Sequence, residues 1–371
     1  MRRFAFVVHP LRFDDFARKY RFTRYLPQGL VETGFKAVGP VMVGHATGVR
    51  SITGEELEGW LIGLPLTPKI LLESPYEWVL KKLEQAGHMA EKMGAEILGL
   101  GAFTKIAGDR GVSLAQRLSI PVTTGNSYTT ATAVEGTLRG ADRMGIDLAT
   151  AQVTVIGATG AIGEATSYIL APHVKYLRLV ARTLEPLQDL AKRLSEQNPD
   201  LSITVSQDVS QSVRDSDIVV AVSSAQDAIV EPEDLKPGSV ITDVARPRNI
   251  SSRVSQARPD VLVLDGGVIE VPGEQADMGF DFGFPPKMVE ACMAETMILA
   301  LSGRLENFTI GGHIAVEKVR EIDALGQQHG FRMAGFRRFE RAIDEDEVEL
   351  IRQRAKKAME HPRDLVSHRF L

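Results

Sequence analysis

The sequence is poor in the features that disulfide-linked, membrane-spanning or nucleic-acid-binding proteins need. It has a single cysteine, Cys292, so no internal disulfide can form, and a cytoplasmic location is expected. No apolar stretch reaches the roughly 18 residues of a membrane span. A formal net charge of −5 argues against a general nucleic-acid binder. The apolar run after Met1 is too short for a signal peptide and predicts a strand.

The remaining composition is typical of a soluble globular protein. Hydrophobic residues make up 44% of the chain and charged residues 25%, and 371 residues suffice for two domains with a large core. We expect a substrate domain in residues 1–148, a dinucleotide-binding domain in 149–285, and C-terminal helices that pack back, with an added tail, in 286–371.

Short β-rich runs alternate with helical stretches from Val153 onward. This alternation predicts a Rossmann-type doubly wound parallel sheet. The N-terminal part mixes strands with helices, of which 76–93 is amphipathic, and therefore predicts an α/β substrate domain. The six β-rich runs are 153–156, 176–180, 203–205, 218–222, 240–243 and 261–264.

A glycine-rich turn follows the first of these runs and precedes a helical stretch. Glycines let the backbone approach a pyrophosphate, and the start of the helix supplies N–H groups and a partial positive charge. The spacing is one variant of the dinucleotide-binding fingerprint, and a plain tight turn is the alternative. Its residues are Gly157, Ala158, Thr159, Gly160, Ala161, Ile162 and Gly163.

The end of the second strand of this sheet indicates which cofactor is used. An NAD-preferring site usually has an acidic residue here, which accepts a hydrogen bond from the ribose 2′-OH. This sequence has Arg182 and then Thr183. Because Arg182 could pair with a 2′-phosphate, we expect NADPH. An ordinary solvated arginine is the alternative.

Three later strand ends should face the same cofactor, because ligands bind at the carboxyl ends of such strands. Routine turns are the alternative at each of them. The residues expected near the cofactor are Ser223, Ser224, Ala245, Arg246, Gly266 and Gly267.

The cysteine is either a small buried hydrophobe or a nucleophile. The sequence predicts that Cys292 lies about two turns into a helix that begins after Pro285-Pro286. At that depth the helix N-terminus has little effect on a thiol pKa. Lys287 adds positive charge nearby, and Glu290 and Glu295 subtract it, so the sequence does not predict a strongly acidic thiol.

Several runs, in the same order, resemble the long-chain acyl-[acyl-carrier-protein] reductases of cyanobacteria, which form fatty aldehydes. The glycine fingerprint is generic, whereas the Gly-Asn loop and the cysteine helix are far more specific. The resemblance is weak in the N-terminal hundred residues. The runs that carry it are 98–104, 123–127, 155–163, 263–270, 290–297, 317–318 and 329–331.

The resemblance implies covalent catalysis. Cys292 would attack an acyl thioester of acyl carrier protein or CoA, hydride from NADPH would reduce the enzyme-bound acyl group, and the aldehyde would pass to an aldehyde-consuming enzyme. The tetrahedral oxyanion needs hydrogen-bond donors, and the candidates are Asn126, Ser127 and Thr129. Helix capping alone is the alternative for each of them.

The sequence departs from the family pattern in three places. Tyr128 stands where the family has a histidine, residues 271–280 diverge and could reshape the acyl pocket, and the tail beyond about Gly335 is an addition. The acyl chain length and the carrier therefore stay open.

An acidic carrier protein would need a basic surface to dock on. Lys81-Lys82 and Arg337-Arg338 are the candidates, and ordinary solvation is the alternative.

Two other functions stay open. One is a shikimate-dehydrogenase-like oxidoreductase, which shares the order of domains and uses a Lys–Asp pair without a thiol. Lys105 lies in a suggestive place for such a lysine, but no matching proline-histidine-lysine run accompanies it. The other is an NADPH-binding sensor without turnover.

Overall fold

The computed structural model describes residues 1–10, 25–106, 109–225, 227–339 and 341–360. They form two compact units, between which the chain crosses several times. The first unit comprises Met1–Tyr128, Ile269–His313 and Glu317–Arg332, and the second comprises Thr129–Val268, Ile314–Val316 and Met333–Leu371. These units differ from the three contiguous ranges expected from the sequence, because the cysteine helix belongs with the N-terminal part and the C-terminal helix belongs with the dinucleotide-binding part.

The first unit is built on a five-stranded sheet. Its strand order is β2-β3-β1-β4-β5, and only the β2–β3 pair is antiparallel. The strands are β1 (Arg2–Val8), β2 (Val41–Arg50), β3 (Glu56–Gly63), β4 (Leu98–Leu100) and β5 (Val122–Thr123). The helices in this part of the chain are α1 (Gln28–Ala37), α2 (Pro68–Glu73), α3 (Tyr76–Met93), α4 (Ala102–Ile106) and α5 (Val112–Ala115).

Helix α3 has the bounds that its periodicity predicts. Its apolar stripe of Val79, Leu80, Leu83 and Ala86 is buried in one core with residues of β1 and β4. Each buried leucine or valine on this stripe stabilises the fold by about 1.5–3 kcal/mol. The helix ends at Gly94, whose φ of 84° is a left-handed conformation that glycine adopts without strain.

A longer helix, α6 (Asn126–Met144), begins in the first unit and continues into the second. The second unit then alternates strands and helices as the sequence predicts. The strands are β6 (Gln152–Ile156), β7 (Tyr176–Val180), β8 (Ser202–Ser206), β9 (Ile218–Ala221), β10 (Val240–Asp243) and β11 (Leu262–Asp265). The helices are α7 (Ala161–Leu170), α8 (Leu184–Gln197), α9 (Val209–Arg214) and α10 (Val254–Ala257), with short 3-10 turns at Ala171–His173 and Pro232–Asp234.

These six strands form one fully parallel sheet, which confirms the predicted Rossmann-type architecture. The order is β11-β10-β9-β6-β7-β8, so the sheet is wound outward in both directions from β6. Successive strand residues face opposite sides, and Val219 and Val220 accordingly lie in two different cores. Burial on both faces explains why the inner strands β9 and β10 are mostly apolar, whereas the edge strand β8 is only partly buried.

The C-terminal part of the chain, from Val268 onward, contributes elements to both units. Its elements are β12 (Val268–Glu270), β13 (Met288–Glu290), α11 (Ala291–Leu301), α12 (Val316–His329), β14 (Arg332–Met333), β15 (Phe336–Arg338), β16 (Arg341–Ile343) and α13 (Glu345–Glu360). Helix α11 is buried along its whole length and packs against β1, β3 and β4. Because Phe6 and Thr296 lie so close to Gly99, a Cβ at that position would overlap both side chains.

The predicted start of the cysteine helix is wrong. Residues 288–290 form a strand, and the N–H of Val271 donates to the carbonyl of Lys287 just before it. The helix therefore begins at Ala291, and Cys292 lies in its first turn.

One side of the C-terminal helix α13 is apolar and packs onto the sheet. Val348, Ile351 and Ala355 are buried against β10 and β11, whereas Met359 is exposed. Residues 361–371 lie outside the described part of the chain.

The proposed basic patches are not basic surfaces. Arg337 and Arg338 are buried, and Arg338 donates to the backbone carbonyls of Val254 and Arg258. Lys82 is also buried and donates to a backbone carbonyl, which leaves only Lys81 of that pair exposed. None of the described helices is both long and apolar enough to cross a membrane.

Candidate active site

The cysteine lies where a helix end could act on its thiol. Glu290 is the N-cap residue of α11 and is extended, with φ −71° and ψ 148°, and Cys292 follows two residues later. The side chain of Cys292 is 6% exposed, and its thiol interacts with the backbone N–H of Met293. Its Sγ lies 3.8 Å from Oε2 of Glu290, so the thiol can donate to that carboxylate.

A glycine brings the start of α6 against this turn. Gly125 has φ 73°, and a Cβ placed on it would lie 2.5 Å from the carbonyl oxygen of Cys292 and overlap its Cα. A larger residue at this position would therefore separate the two segments. The backbone contact places the neighbouring Asn126, the first residue of α6, at the thiol turn.

Asn126 in turn binds a lysine. Lys105 Nζ donates to Asn126 Oδ1 over 2.6 Å. Helix α4 holds Lys105 in place, since the Phe103 N–H donates to His9 Nε2 and the Thr104 hydroxyl donates to the carbonyl of Gly101. A fixed ammonium group therefore accompanies the candidate oxyanion donor.

A buried carboxyl group joins α11 to α6. Glu295 accepts a hydrogen bond from the Thr123 hydroxyl over 2.5 Å and one from the backbone N–H of Tyr128 over 2.8 Å. The second bond satisfies a donor of the first turn of α6 that has no partner within its own helix. Burial raises the pKa of Glu295, and the hydrogen bonds from Thr123 and Tyr128 oppose that rise.

The other two predicted oxyanion donors have different surroundings. Ser127 is fully buried, and its hydroxyl is hydrogen-bonded to that of Thr309 over 2.7 Å. Thr129 is half-buried and belongs to the second compact unit. Because α6 begins at Asn126, neither Asn126 nor Ser127 occupies a position before the helix, where capping residues lie. The structure thus brings Asn126 to the cysteine, and it gives Ser127 a partner elsewhere.

Burial makes the thiol still less acidic. It raises the pKa of Cys292 from its ordinary 9.0 to about 12, and the charge of Glu290 adds to the rise, while that of Lys105 lowers it. A helix N-terminus favours a negative charge by about 0.3–1 kcal/mol. A rise from 9.0 to about 12 corresponds to about 4 kcal/mol against the thiolate. The thiol is therefore neutral at pH 7.

In the second unit, the fingerprint residues form a close turn at the carboxyl end of β6. Gly157 has φ 82°, and a Cβ there would lie 2.9 Å from the Cα of Ser223. A Cβ on Gly163 would overlap the carbonyl of Gly157, so this glycine lets α7 pack onto the strand. Gly160 is the N-cap of α7 and is exposed together with Thr159. Exposed backbone at a helix start fits the pyrophosphate of a dinucleotide.

Hydrogen bonds at the ends of two strands, β9 and β10, hold the neighbouring loops. The buried carboxyl of Asp243 accepts from the backbone N–H groups of Ala245, Asn249 and Ile250. Asn249 in turn accepts from the N–H of Ser223 through its Oδ1 over 2.9 Å. Burial raises the pKa of Asp243, so these bonds lie in a poorly solvated setting.

Some of the remaining predicted cofactor residues are exposed enough to contact a ligand, and others are buried. Arg182, Thr183 and Ser224 are exposed. Arg246 and Gly266 are half-buried, whereas Ala158, Ala245 and Gly267 are buried. Arg182 lies just beyond β7, and its backbone carbonyl accepts a hydrogen bond from Gln207.

Lys105 and Glu290 were not predicted as residues of the thiol site. The sequence carries a signal for Lys105. Lys105 and Asn126 follow β4 and β5, which are neighbouring parallel strands, so their carboxyl ends share one edge of the sheet. Glu290 could not be recognised, since its contact with Cys292 depends on the helix beginning at Ala291. Within the described ranges, no group of three or more His, Cys, Asp or Glu side chains could hold a metal ion.

Comparison with known proteins assigns the chain to a family. A family described as shikimate / quinate 5-dehydrogenase matches residues 139–265. Over 332 residues the chain is 30% identical to a long-chain acyl-[acyl-carrier-protein] reductase of Synechococcus elongatus, with 86% of this chain and 94% of that protein covered. The chain belongs to the acyl-[acyl-carrier-protein] reductase family. It is thereby placed among the NAD(P)-dependent oxidoreductases.

The chain is also similar to proteins with other names. Over 307 residues the chain is 32% identical to aminotransferase PigE of a Serratia species, with 81% of this chain covered. The chain spans only 35% of the length of that aminotransferase. Shikimate 5-dehydrogenase from Listeria monocytogenes is 10% identical with a TM-score of 0.36, covering 87% of this chain and 96% of that one.

The buried thiol predicts an unusual pH dependence of alkylation. Because only the thiolate reacts and the pKa of Cys292 is about 12, the rate with iodoacetamide should rise about tenfold per pH unit from pH 7 to pH 10. The control is the same chain in guanidinium chloride, where the ordinary thiol pKa of 9.0 makes the rate level off. A folded chain whose rate levels off below pH 9 would contradict the neutral thiol.

Proposed function

We propose that this protein reduces a fatty acyl thioester to the aldehyde through a thioester on Cys292, with NADPH as the reductant. The observation that carries the proposal is the surroundings of the thiol, which lies in the first turn of α11 beside Glu290 and the Lys105–Asn126 pair. A packing cysteine needs none of these charged neighbours. The family adds that a relative of similar length is an acyl-[acyl-carrier-protein] reductase.

The residues around the thiol suit the proposed acylation. As Sγ bonds to the thioester carbonyl, negative charge develops on the carbonyl oxygen. Lys105 and Asn126 are held together beside the first turn of α11, where they could stabilise that charge without reorganising. Ser127, already bonded to Thr309, supports the loop instead.

The proposed cofactor fits the turn after β6. NADPH, when bound, supplies the hydride that reduces the acyl thioester. Gly157 and Gly163 leave room for its pyrophosphate, and Arg182 is exposed at the position where a 2′-phosphate would need a cation. The collapse of the reduced adduct releases the aldehyde and returns the thiol.

The carrier and location are part of the proposal. We take acyl carrier protein as the substrate carrier, with CoA as the alternative, because the family relative is named for it. A lone unpaired thiol suits the reducing cytoplasm, where an aldehyde-consuming partner could take up the product.

One contact weighs against shikimate-dehydrogenase-like chemistry. That chemistry pairs a lysine with an aspartate, whereas Lys105 is bonded to the amide of Asn126. It also gives no role to the thiol.

Aldehyde formation tests the proposed reaction. With hexadecanoyl acyl carrier protein and NADPH, we expect hexadecanal to form in step with NADPH oxidation. Cys292→Ala should abolish both while keeping its helical content and its affinity for NADPH, since the fingerprint lies in the other unit. Undiminished aldehyde formation by this variant would refute covalent catalysis, and the measurement is gas chromatography together with absorbance at 340 nm.

Arg182→Ala tests the choice of cofactor. Loss of a charge-assisted hydrogen bond to the 2′-phosphate costs about 1.5–3 kcal/mol, so the KM for NADPH should rise about tenfold or more. The KM for NADH should stay the same. Lys192→Ala, which removes another exposed cation from the same unit, is the matched control. An unchanged ratio of the two KM values would leave Arg182 without this role.

A further inference from the structure

A neutral thiol must lose its proton when its sulfur bonds to an acyl group. The thiolate is the nucleophile in such reactions, and the described surroundings keep Cys292 protonated at neutral pH. A side chain that accepts this proton directly has to contact Sγ.

Among the residues that the structure describes, Glu290, Lys105 and Glu295 have charges that act on the thiol. Of these three, Glu290 both contacts Sγ and can accept its proton. Lys105 is a cation and has no acceptor. Glu295 accepts from Thr123 and from the Tyr128 N–H, and so is directed toward the start of α6. Glu290 has its Oε2 3.8 Å from Sγ, within hydrogen-bonding distance for sulfur.

The position of Glu290 in the backbone also leaves its side chain able to act on the thiol. It occupies the N-cap position of α11, where a side-chain oxygen often accepts from a helix N–H, yet its side chain makes no such bond. It is half-buried, as is Lys105, so the pair of opposite charges flanks a thiol that is itself almost inaccessible.

We infer that Glu290 is the general base that removes the proton from Cys292 during acyl transfer. This inference rests on the proposed function. The Sγ–H bond breaks and its proton goes to the Glu290 carboxylate, while Sγ forms a bond to the acyl carbon and the carbonyl electron pair moves to oxygen. When that oxyanion collapses, the bond to the carrier sulfur breaks, and the leaving carrier thiolate takes the proton from Glu290. No oxidant or reductant is needed.

The Glu290 carboxylate should have opposite effects on the acidity of the thiol and on the rate of acyl transfer. This difference distinguishes a general base from a neighbouring charge. Its negative charge opposes formation of a free thiolate, so its removal should make the thiol more acidic. As a base, its removal should slow acyl transfer. Glu290→Gln is nearly isosteric and removes both the charge and the basicity.

Two rates on Glu290→Gln test the inference. At pH 8, iodoacetamide should alkylate Cys292 faster in the variant than in the wild type. Transfer of a hexadecanoyl group from acyl carrier protein, followed without NADPH as release of the carrier thiol, should be slower by about 100-fold or more. Glu73→Gln, an exposed carboxylate of the same unit, is the control and should change neither rate.

Other outcomes overturn the inference in distinguishable ways. Acyl transfer that accelerates in parallel with alkylation would make Glu290 only a neighbouring charge, and acyl transfer at the wild-type rate would equally exclude it as the base. Wild-type protein that releases no carrier thiol would overturn the proposed function and this role together. Added formate should restore part of the acyl-transfer rate to Glu290→Ala, which a purely structural role would not allow.

Discussion

The close contact between Gly125 and Cys292 is the constraint on which the candidate thiol site depends. A positive φ and the absence of a side chain let the start of α6 meet the backbone of the first turn of α11. Asn126 follows Gly125 in sequence and brings Lys105 with it. Glu295, one turn further along α11, accepts the Tyr128 N–H and fixes the same approach from the other helix.

Burial and the helix N-terminus have opposite effects on the pKa of the thiol. The desolvated position raises the pKa of Cys292, and the effect exceeds what the helix end contributes. A neutral buried thiol is protected from oxidation at rest, since susceptibility follows thiolate character and exposure. In the proposed reaction, the thiol needs a nearby proton acceptor and a cation for the developing oxyanion. We propose Glu290, which contacts Sγ, and Lys105, which is bonded to Asn126, for these two roles.

The parts of the molecule that local patterns determine were predictable, and the parts that distant contacts determine were not. The six strands around Gly157–Gly163 have apolar runs bounded by turns, so their order along the chain and their parallel sheet followed from the sequence. The start of α11 did not follow from the sequence, because residues 288–290 suit a helix as well as a strand. They form a strand beside the segment around Val271, whose N–H donates to the carbonyl of Lys287. The burial of Arg338 likewise depends on carbonyls about 80 residues away in sequence.

The central claim is that Cys292 carries the acyl group, and intact-protein mass spectrometry tests it most directly. After incubation with hexadecanoyl acyl carrier protein and no NADPH, the protein should gain the mass of one hexadecanoyl group. Peptide mapping should place that group on Cys292, and addition of NADPH should remove it. No added mass, or an acyl group on any other residue, would contradict the account.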